Sequence, residues 1–271
     1  MFDRLLVPLD GTQGATSALR IAEFLADRWD ANITVLTVLN KENERLGLDE
    51  IVARQVAGVR HTEKVDIRPG SYSLADDIAT VFDQEDEPLL VMSTMARGRV
   101  AGVAANVSEE VMRQVREPML LVGPNVELPD DWPEGDLMIC IDGSDFAATI
   151  VPVAARWCDA LDLNPMIVGV IDPAKVPAGV SPAYENNAVA RVASGMQDLT
   201  ERLVNYDTLH GPDPAKAIVD YARNGDAAML AMATHIRAGV DRVLHDSVAM
   251  AVVRRASCPV LVGRPPVDPS R

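Results

Sequence analysis

Two short motifs place a carboxylate, a glycine and a hydroxyl side chain directly after an apolar run. They are Asp10-Gly11-Thr12, which follows Leu5–Leu9, and Asp142-Gly143-Ser144, which follows Ile139–Ile141. Such a triplet is typical of a tight turn that also caps the next helix. In a doubly wound α/β sheet, ligands bind beyond the carboxyl ends of the strands, where the strand order reverses. The motifs are therefore candidate ligand contacts as well as candidate caps.

A second pair of polar segments follows the apolar runs Leu89–Met92 and Met229–Met232. The segments are Ser93-Thr94-Met95-Ala96-Arg97-Gly98 and Ala233-Thr234-His235-Ile236-Arg237-Ala238. Farther along, Asn106 and Ser247 are predicted to open the last helix of each half. Because these residues all follow strands or precede a helix, the same edge of a parallel sheet is expected to hold them.

Residues that catalyse reactions do not form a set with suitable spacing. The sequence has no Gly-x-Ser-x-Gly nucleophile motif, and Ser71 and Ser73 are expected to cap the following helix. His235 and His245 lie ten residues apart, with no third residue spaced as a zinc ligand. Neither an enzyme active site nor a metal site is predicted.

The chain contains the same pattern twice. Leu6–Thr12 returns as Met138–Ser144, at an offset of 132 residues. Other landmarks return in the same order: Ile33–Leu39 at Pro165–Ile171, Gly70 at Gly211, and Pro118 at Pro259. A repeat of this length predicts two homologous domains of roughly 130 residues rather than a solenoid.

Short apolar runs bounded by charge, glycine or proline predict parallel strands covered by helices on both faces. The runs are Leu5–Leu9, Ile33–Leu39, Leu89–Met92, Met119–Val122, Ile139–Ile141, Met166–Ile171, Met229–Met232 and Val260–Val262. Apolar residues at helical spacing predict helices between them, among them Leu46–Val59, Ala147–Leu161, Ala183–Leu203 and Asp246–Arg255. An acidic, proline-containing linker at residues 127–136 is expected to separate domains at residues 1–126 and 137–264.

Composition excludes several classes of partner. The net charge of −15, from 40 acidic and 25 basic residues, disfavours nucleic acid and anionic membranes. No apolar run approaches the roughly 20 residues that span a bilayer, and Met1–Arg4 shows no signal-peptide pattern. Cys140, Cys158 and Cys258 lack metal-type spacing and are predicted to be buried. A reducing cytoplasm is the expected location.

Several motifs together resemble those of the universal stress protein family in its tandem, two-domain form. They are Val7–Thr12, Gly211–Pro214, Ala233–Gly239, Ser247–Ala249 and Cys258–Val262. The resemblance implies two α/β domains, each a doubly wound, five-stranded parallel sheet of the adenine-nucleotide α-hydrolase-like type. It also implies an internal pseudo-dimer in which the last strands, Met119–Val122 and Val260–Val262, pair edge to edge. The implied role is a non-enzymatic stress response with unidentified protein partners, and a homodimer of whole chains stays open.

ATP-binding members of that family carry Gly-x-x-Gly, nine residues, then Gly-Ser/Thr. Glycines let backbone N–H groups approach phosphates closely, and a helix N-terminus favours the anion. The resemblance also implies that an aspartate after the first strand and the backbone of a valine ending the second strand contact adenosine. Those residues are Asp10 and Val38 in the first half, and Asp142 and Val170 in the second.

Both halves depart from the phosphate-binding pattern. In the first half, the glycine positions of the pattern hold Ser93, Ala96 and Ala105, and Asn106 follows. In the second half, they hold Ala233, Ile236 and Asp246, and Ser247 follows. Ile236 adds branched bulk, and the Asp246 carboxylate would repel a phosphate by roughly 4 kcal/mol at about 4 Å and an effective dielectric of about 20. The second half, although it keeps Thr234 and Ser247, is therefore expected to bind ATP poorly.

The first half is the better candidate for a nucleotide site. Gly98 beside Arg97 would allow a shifted phosphate loop, which leaves an ATP-binding or ATP-hydrolysing protein as the alternative. A pure interaction module with empty pockets is the third interpretation. No cofactor is certain, and ATP is the one that the resemblance suggests.

Overall fold

A computed structural model describes residues 1–39, 47–71, 73–94, 101–128, 132–174, 176, 182–234 and 248–263, without the side chains of residues 13, 101–106 and 182–186. The chain divides into two compact units, Met1–Pro124 and Asn125–Arg271, which we call domain 1 and domain 2. Each domain alternates strands with helices along the chain.

Domain 1 contains five strands and four helices within the described residues. The strands are β1 (Arg4–Pro8), β2 (Asn32–Leu39), β3 (Thr62–Pro69), β4 (Leu89–Ser93) and β5 (Met119–Val122). The helices are α1 (Gln13–Trp29), α2 (Leu48–Val56), α3 (Leu74–Phe82) and α4 (Ala101–Gln114). All strand pairs are parallel, in the order β3-β2-β1-β4-β5. The chain order therefore reverses between β1 and β4, as in a doubly wound sheet.

Domain 2 repeats this arrangement. Its strands are β6 (Asp136–Ile141), β7 (Asn164–Ile171), β8 (Asn205–His210), β9 (Met229–Ala233) and β10 (Val260–Gly263). Its helices are α5 (Val151–Leu161), α6 (Pro182–Thr200), α7 (Pro214–Asn224) and α8 (Val248–Arg255). The parallel order is β8-β7-β6-β9-β10. The prediction of two tandem, five-stranded, doubly wound domains is confirmed.

The central strands are buried on both faces. Leu5, Leu6 and Val7 of β1 are completely buried, although successive side chains of a strand point to opposite faces. Continuous apolar runs of this kind are typical of strands covered by helices on each side. The runs therefore identified the inner strands correctly.

The third strand of each domain, β3 and β8, is absent from the apolar runs. Both lie at the outer end of their sheets, and their residues are mostly exposed, including Val65 and Tyr206. An outer strand has a neighbour on one side only, so polar side chains are tolerated along it. The apolar runs predicted four strands in each domain, and the family resemblance alone implied that each sheet has five.

Several helix boundaries differ from the predictions. The segment Ala147–Leu161 is a 3₁₀ turn at Ala147–Ile150 followed by α5, since Pro152 lacks the N–H that a continuous α-helix needs there. The second helix ends at Val56, two residues before Gly58, which has a φ of +92°. Helix α6 ends at Thr200, because Glu201 adopts a left-handed φ of 54°. The predicted first residues of two helices, Leu46 and Asp246, lie outside the described residues.

Candidate functional site

The Asp10-Gly11-Thr12 motif forms the turn between β1 and α1. Oδ1 of Asp10 accepts hydrogen bonds from the Thr12 backbone N–H at 2.9 Å and from the Thr12 hydroxyl at 2.6 Å. Oγ1 of Thr12 in turn accepts the Ala15 N–H at 3.2 Å and caps α1. Gly11 has a φ of +75°, which a residue with a side chain adopts only at a cost. The cap interpretation is confirmed, and the Asp10 side chain lies exposed at the carboxyl end of β1.

Domain 2 has the same turn after β6. Oδ1 of Asp142 accepts from the Ser144 N–H at 3.0 Å and from the Ser144 hydroxyl at 2.5 Å. Oγ of Ser144 accepts the Ala147 N–H at 3.1 Å, and Gly143 has a φ of +80°. Each aspartate therefore holds a turn that starts a helical segment, and its exposed carboxylate lies beside the point where the strand order reverses.

The two turns differ in what covers them. Gly11 and Thr12 are buried in domain 1, whereas Gly143 is exposed and Ser144 half-buried in domain 2. In domain 1, the Gln55 side-chain amide of α2 donates to the backbone oxygen of Gly11 at 3.1 Å. In domain 2, an alanine of the second helix lies near the turn: a β-carbon on Gly143 would be 3.8 Å from that of Ala188.

Val38 and Val170 are each the next-to-last residue of the second strand of their domain, and both are half-buried. The residue before each valine differs between the domains. Thr37 of β2 is fully buried, and its hydroxyl donates to the backbone oxygen of Leu9 at 3.2 Å. The equivalent residue in β7 is Gly169, where a β-carbon would lie only 2.7 Å from Cγ2 of Val189 in α6. Helix α6 therefore packs directly on the strand in domain 2.

The segment after the fourth strand begins alike in both domains. The Thr94 N–H donates to the Val122 oxygen at 2.9 Å, and the Thr234 N–H to the Gly263 oxygen at 3.0 Å. The buried Thr94 hydroxyl also reaches the Val122 oxygen, at 3.4 Å. The Thr234 hydroxyl is buried without a hydrogen-bond partner in the part of the chain that the structure describes. Ser93, just before Thr94, is half-buried at the end of β4.

Part of the predicted phosphate region lies outside the described residues: Ala96, Arg97, Gly98, Ile236, Asp246 and Ser247. Ala105 and Asn106 belong to α4, although their side chains are outside the description. The prediction that Asn106 opens the last helix was wrong, since α4 begins at Ala101. Alanine is the strongest helix former, and three of the first five residues of α4 are alanine. Only the first four N–H groups of a helix lack an intrahelical partner, so Asn106 does not offer its own.

The resemblance motif Gly211–Pro214 has a structural role in domain 2. The Asp213 side chain caps α7 by accepting the Lys216 N–H at 3.0 Å, with Pro214 at the start of the helix. That hydrogen bond, reinforced by Arg255, lowers the pKa of the Asp213 carboxyl. Ser73 caps α3 in domain 1 in the same way, which confirms that part of the prediction.

The remaining candidates for chemistry are buried or dispersed. The cysteines are free and buried, as predicted. Burial raises the pKa of Cys158 and of Cys258 to about 12. Among the described residues, no group of three or more His, Cys, Asp or Glu side chains is arranged to hold a metal ion. Within those same residues, no helix combines the length and apolarity that crossing a membrane requires.

Residues missed by the sequence reasoning lie on the second helix and second strand. Gln55 and Thr37 both make hydrogen bonds to the segment that follows β1. The signal for Gln55 was its spacing, since it follows Val52 by three residues and so lies near the buried face of α2. Thr37 sits inside an apolar run, where a hydroxyl must find a partner.

Two doubly wound α/β domains with the same aspartate turn at the carboxyl edge define a tandem protein of the doubly wound α/β class. A sequence profile of the Universal stress protein family matches residues 1–123 and 135–264. The chain belongs to this family.

Individual relatives support the same fold. A universal stress protein of Mycobacterium tuberculosis is 25% identical over 194 residues, which cover 67% of this chain and 60% of that protein. The match thus spans less than two thirds of that relative's length. The crystal structure of a universal stress protein from Archaeoglobus fulgidus has a TM-score of 0.69 at 18% identity and covers 98% of this chain and 97% of that chain. A functionally unknown protein from Pseudomonas aeruginosa has a TM-score of 0.68 at 15% identity, with 97% and 93% covered.

Proposed function

We propose that this protein is a non-enzymatic, cytoplasmic stress-response protein that acts by binding, with adenine nucleotide as a weak ligand of domain 1. The observation that carries the proposal is the pairing of a preserved aspartate turn with a degraded phosphate loop. The turn is present in both domains, whereas the phosphate-loop glycines are replaced in both.

The adenosine side of the proposed site is built from Asp10 and Val38. Oδ1 of Asp10 is used by the turn, and Oδ2 takes part in neither of those bonds. An exposed carboxylate at the carboxyl end of a strand is suited to accept hydrogen bonds from ribose hydroxyls, as acidic residues do in related nucleotide folds. The half-buried end of β2 at Val38 supplies backbone groups beside it.

The phosphate side is expected to be weak in domain 1 and weaker in domain 2. Alanine at positions 96 and 105 adds a methyl group where a phosphate would approach the backbone. In domain 2, Ile236 adds more bulk and Asp246 adds a repelling charge. The close packing of Val189 on Gly169 further supports a smaller crevice in domain 2.

One observation favours the alternative, an ATP-binding or ATP-hydrolysing protein with a shifted phosphate loop. Helix α4 begins at Ala101, only three residues after Gly98. The N–H groups of its first turn, which have no partners within the helix, therefore follow Arg97 and Gly98 in sequence, which is the order that a phosphate loop requires. The sequence has no Gly-x-Ser-x-Gly nucleophile motif, so we keep binding without turnover as the proposal.

The proposed role also involves protein partners, which the family assignment leaves unnamed. We propose that Met119–Val122 and Val260–Val262 pair as an internal pseudo-dimer, and that a homodimer of whole chains is a further option. Such pairing would cover strand edges that otherwise promote association.

Titration of the whole chain with Mg-ATP, combined with an assay for released ADP, tests the proposal. We expect weak binding at no more than one site and no ADP above the buffer rate. Sustained ADP release that an Arg97→Ala substitution removes would support the shifted-loop enzyme instead. Tight binding at two sites would contradict the argument from the replaced glycines.

A further inference from the structure

We infer that Gln55 is a positioning residue that fixes the Asp10 turn in its ligand-binding shape, an inference that rests on the proposed nucleotide site in domain 1. Gln55 belongs to α2, whereas the turn joins β1 to α1. The side chain thus connects two elements that are 39 or more residues apart in the chain.

The Gln55 amide nitrogen is shared among three acceptors. Nε2 lies 3.1 Å from the Gly11 oxygen, 3.3 Å from the Thr12 oxygen and 3.2 Å from the Thr16 hydroxyl. An amide NH₂ group has two hydrogens, so three acceptors at these distances share its donors. The side chain therefore holds the whole turn and the first helical turn of α1, not a single atom.

The Thr12 oxygen is the centre of this network. It accepts the Thr16 backbone N–H at 3.4 Å and the Thr16 hydroxyl at 3.3 Å in addition to Gln55. The Thr12 hydroxyl meanwhile donates to Asp10 and accepts from Ala15. Moving Gln55 would therefore disturb the residue that orients the Asp10 carboxylate.

The side-chain oxygen of Gln55 indicates that the residue acts here as a hydrogen-bond donor. Oε1 of Gln55 is buried and has no hydrogen-bond partner among the described residues. A buried acceptor without a partner is costly, and an apolar side chain of similar size would avoid that cost. The donated bonds must therefore account for the amide at this position.

Helix α2 gives the contact a rigid base, because Leu48, Val52 and Val56 of the same helix are buried. Domain 2 lacks an equivalent donor among its described residues. A β-carbon on Gly143 would lie 3.8 Å from the β-carbon of Ala188 in the second helix, and Gly143 is exposed. The hydrogen bonds from Gln55 to the turn therefore distinguish domain 1, which we propose to bind nucleotide, from domain 2.

The test uses the full chain with Gln55→Met, which removes the donors without adding charge, and Gln55→Glu, which keeps the shape. Arg54→Gln is the matched control, because Arg54 is exposed and bonds only within α2 among the contacts described. Amide hydrogen exchange of Thr12 and Ala15 and the dissociation constant for Mg-ATP are measured for each. We expect exchange at these amides about tenfold faster in both Gln55 variants, with exchange in the middle of α1 unchanged and weaker ATP binding.

Unchanged exchange at Thr12 and Ala15 would overturn the inference. Equal acceleration at every α1 amide would also overturn it, because Gln55 would then be a general stabilising residue. Faster local exchange with unaltered ATP affinity would show that the turn does not need Gln55 to bind. If the wild-type chain binds no ATP, the nucleotide part of the proposed function fails, and the exchange result still decides whether Gln55 positions the turn.

Discussion

At the scale of single residues, the aspartate of each turn has a structural role, and the one in domain 1 also has a proposed role in ligand binding. Asp10 and Asp142 each accept a backbone N–H and a hydroxyl from the residue two positions later. Replacing either one removes a local structural contact as well as a candidate ligand contact. The two positions are therefore matched controls for each other, since a purely structural effect would be similar in both domains.

The cysteines allow a direct residue-scale prediction. Burial raises the pKa of Cys158 and Cys258 to about 12 and raises that of Cys140 as well. At pH 8 the thiols are therefore protonated and shielded from solvent, and only the thiolate reacts. We expect a disulfide reagent such as Ellman's to modify none of the three in the native protein and all three in denaturant. Rapid reaction of one thiol in the native state would contradict this.

The sequence predicted residues whose roles are local. Caps such as Ser73 depend on neighbours three residues away, and a turn aspartate depends on neighbours two residues away. Gln55 could not be predicted in this way, because its partners lie 39 to 44 residues away and depend on how α2 packs. Its spacing of three residues from Val52 indicates a position near the buried face of α2 but does not identify its acceptors.

At the scale of elements, apolar runs predicted the inner strands and failed at the sheet margins. The runs required burial on both faces, which β3 and β8 do not have. The start of α4 was predicted five residues too late, because the prediction followed the spacing of a phosphate-binding motif. The alanines from Ala101 onward indicate the start of the helix more reliably, since helix propensity acts whether or not a ligand is bound.

Gly169 allows a prediction about how α6 packs on β7. A Gly169→Thr substitution copies Thr37 of domain 1, but its β-carbon would lie 2.7 Å from the buried Val189 side chain. We expect a loss of about 1–3 kcal/mol in the free energy of unfolding, as for other overpacked cores. Urea unfolding of the full chain measures it.

A second substitution at the contact tests the cause. Adding Val189→Ala to Gly169→Thr should cost less than the sum of the two single changes, because the alanine makes room for the threonine. Gly195→Ala in the same helix is the control, since a β-carbon there meets open space and should be neutral or stabilising. If the free-energy losses of Gly169→Thr and Val189→Ala simply add in the double variant, the Val189 side chain is not the reason that position 169 requires glycine.

At the scale of the whole molecule, the family profile matches the chain twice, once in each domain. A repeated domain can keep its fold while its sites diverge, because the core depends on the inner strands and the ligand contacts depend on loops. The repeat is strong in β1, β2, β6 and β7, and it predicted that both halves share one fold. The function of each copy depends on loops that the repeat does not specify.

The proposed pseudo-dimer predicts how the separate halves behave. Residues 1–126 and 134–271 should each fold as an α/β domain and expose an all-apolar last strand, Met119–Val122 or Val260–Val262. Exposed strands of this kind promote association, so both fragments should dimerise or aggregate at micromolar concentration. Size-exclusion chromatography with light scattering measures this. If both fragments stay monomeric and soluble, the pairing proposal is wrong.

Isothermal titration of the full chain with Mg-ATP, repeated with Asp10→Ala and Asp142→Ala, tests the central claim that the two sites are unequal. We expect no more than one weak site per chain, with a dissociation constant of roughly 0.1 to 1 mM. The heat of Mg-ATP binding should disappear in the Asp10→Ala variant and persist in the Asp142→Ala variant. Two tight sites per chain, or a signal that Asp142→Ala removes and Asp10→Ala leaves, would contradict it.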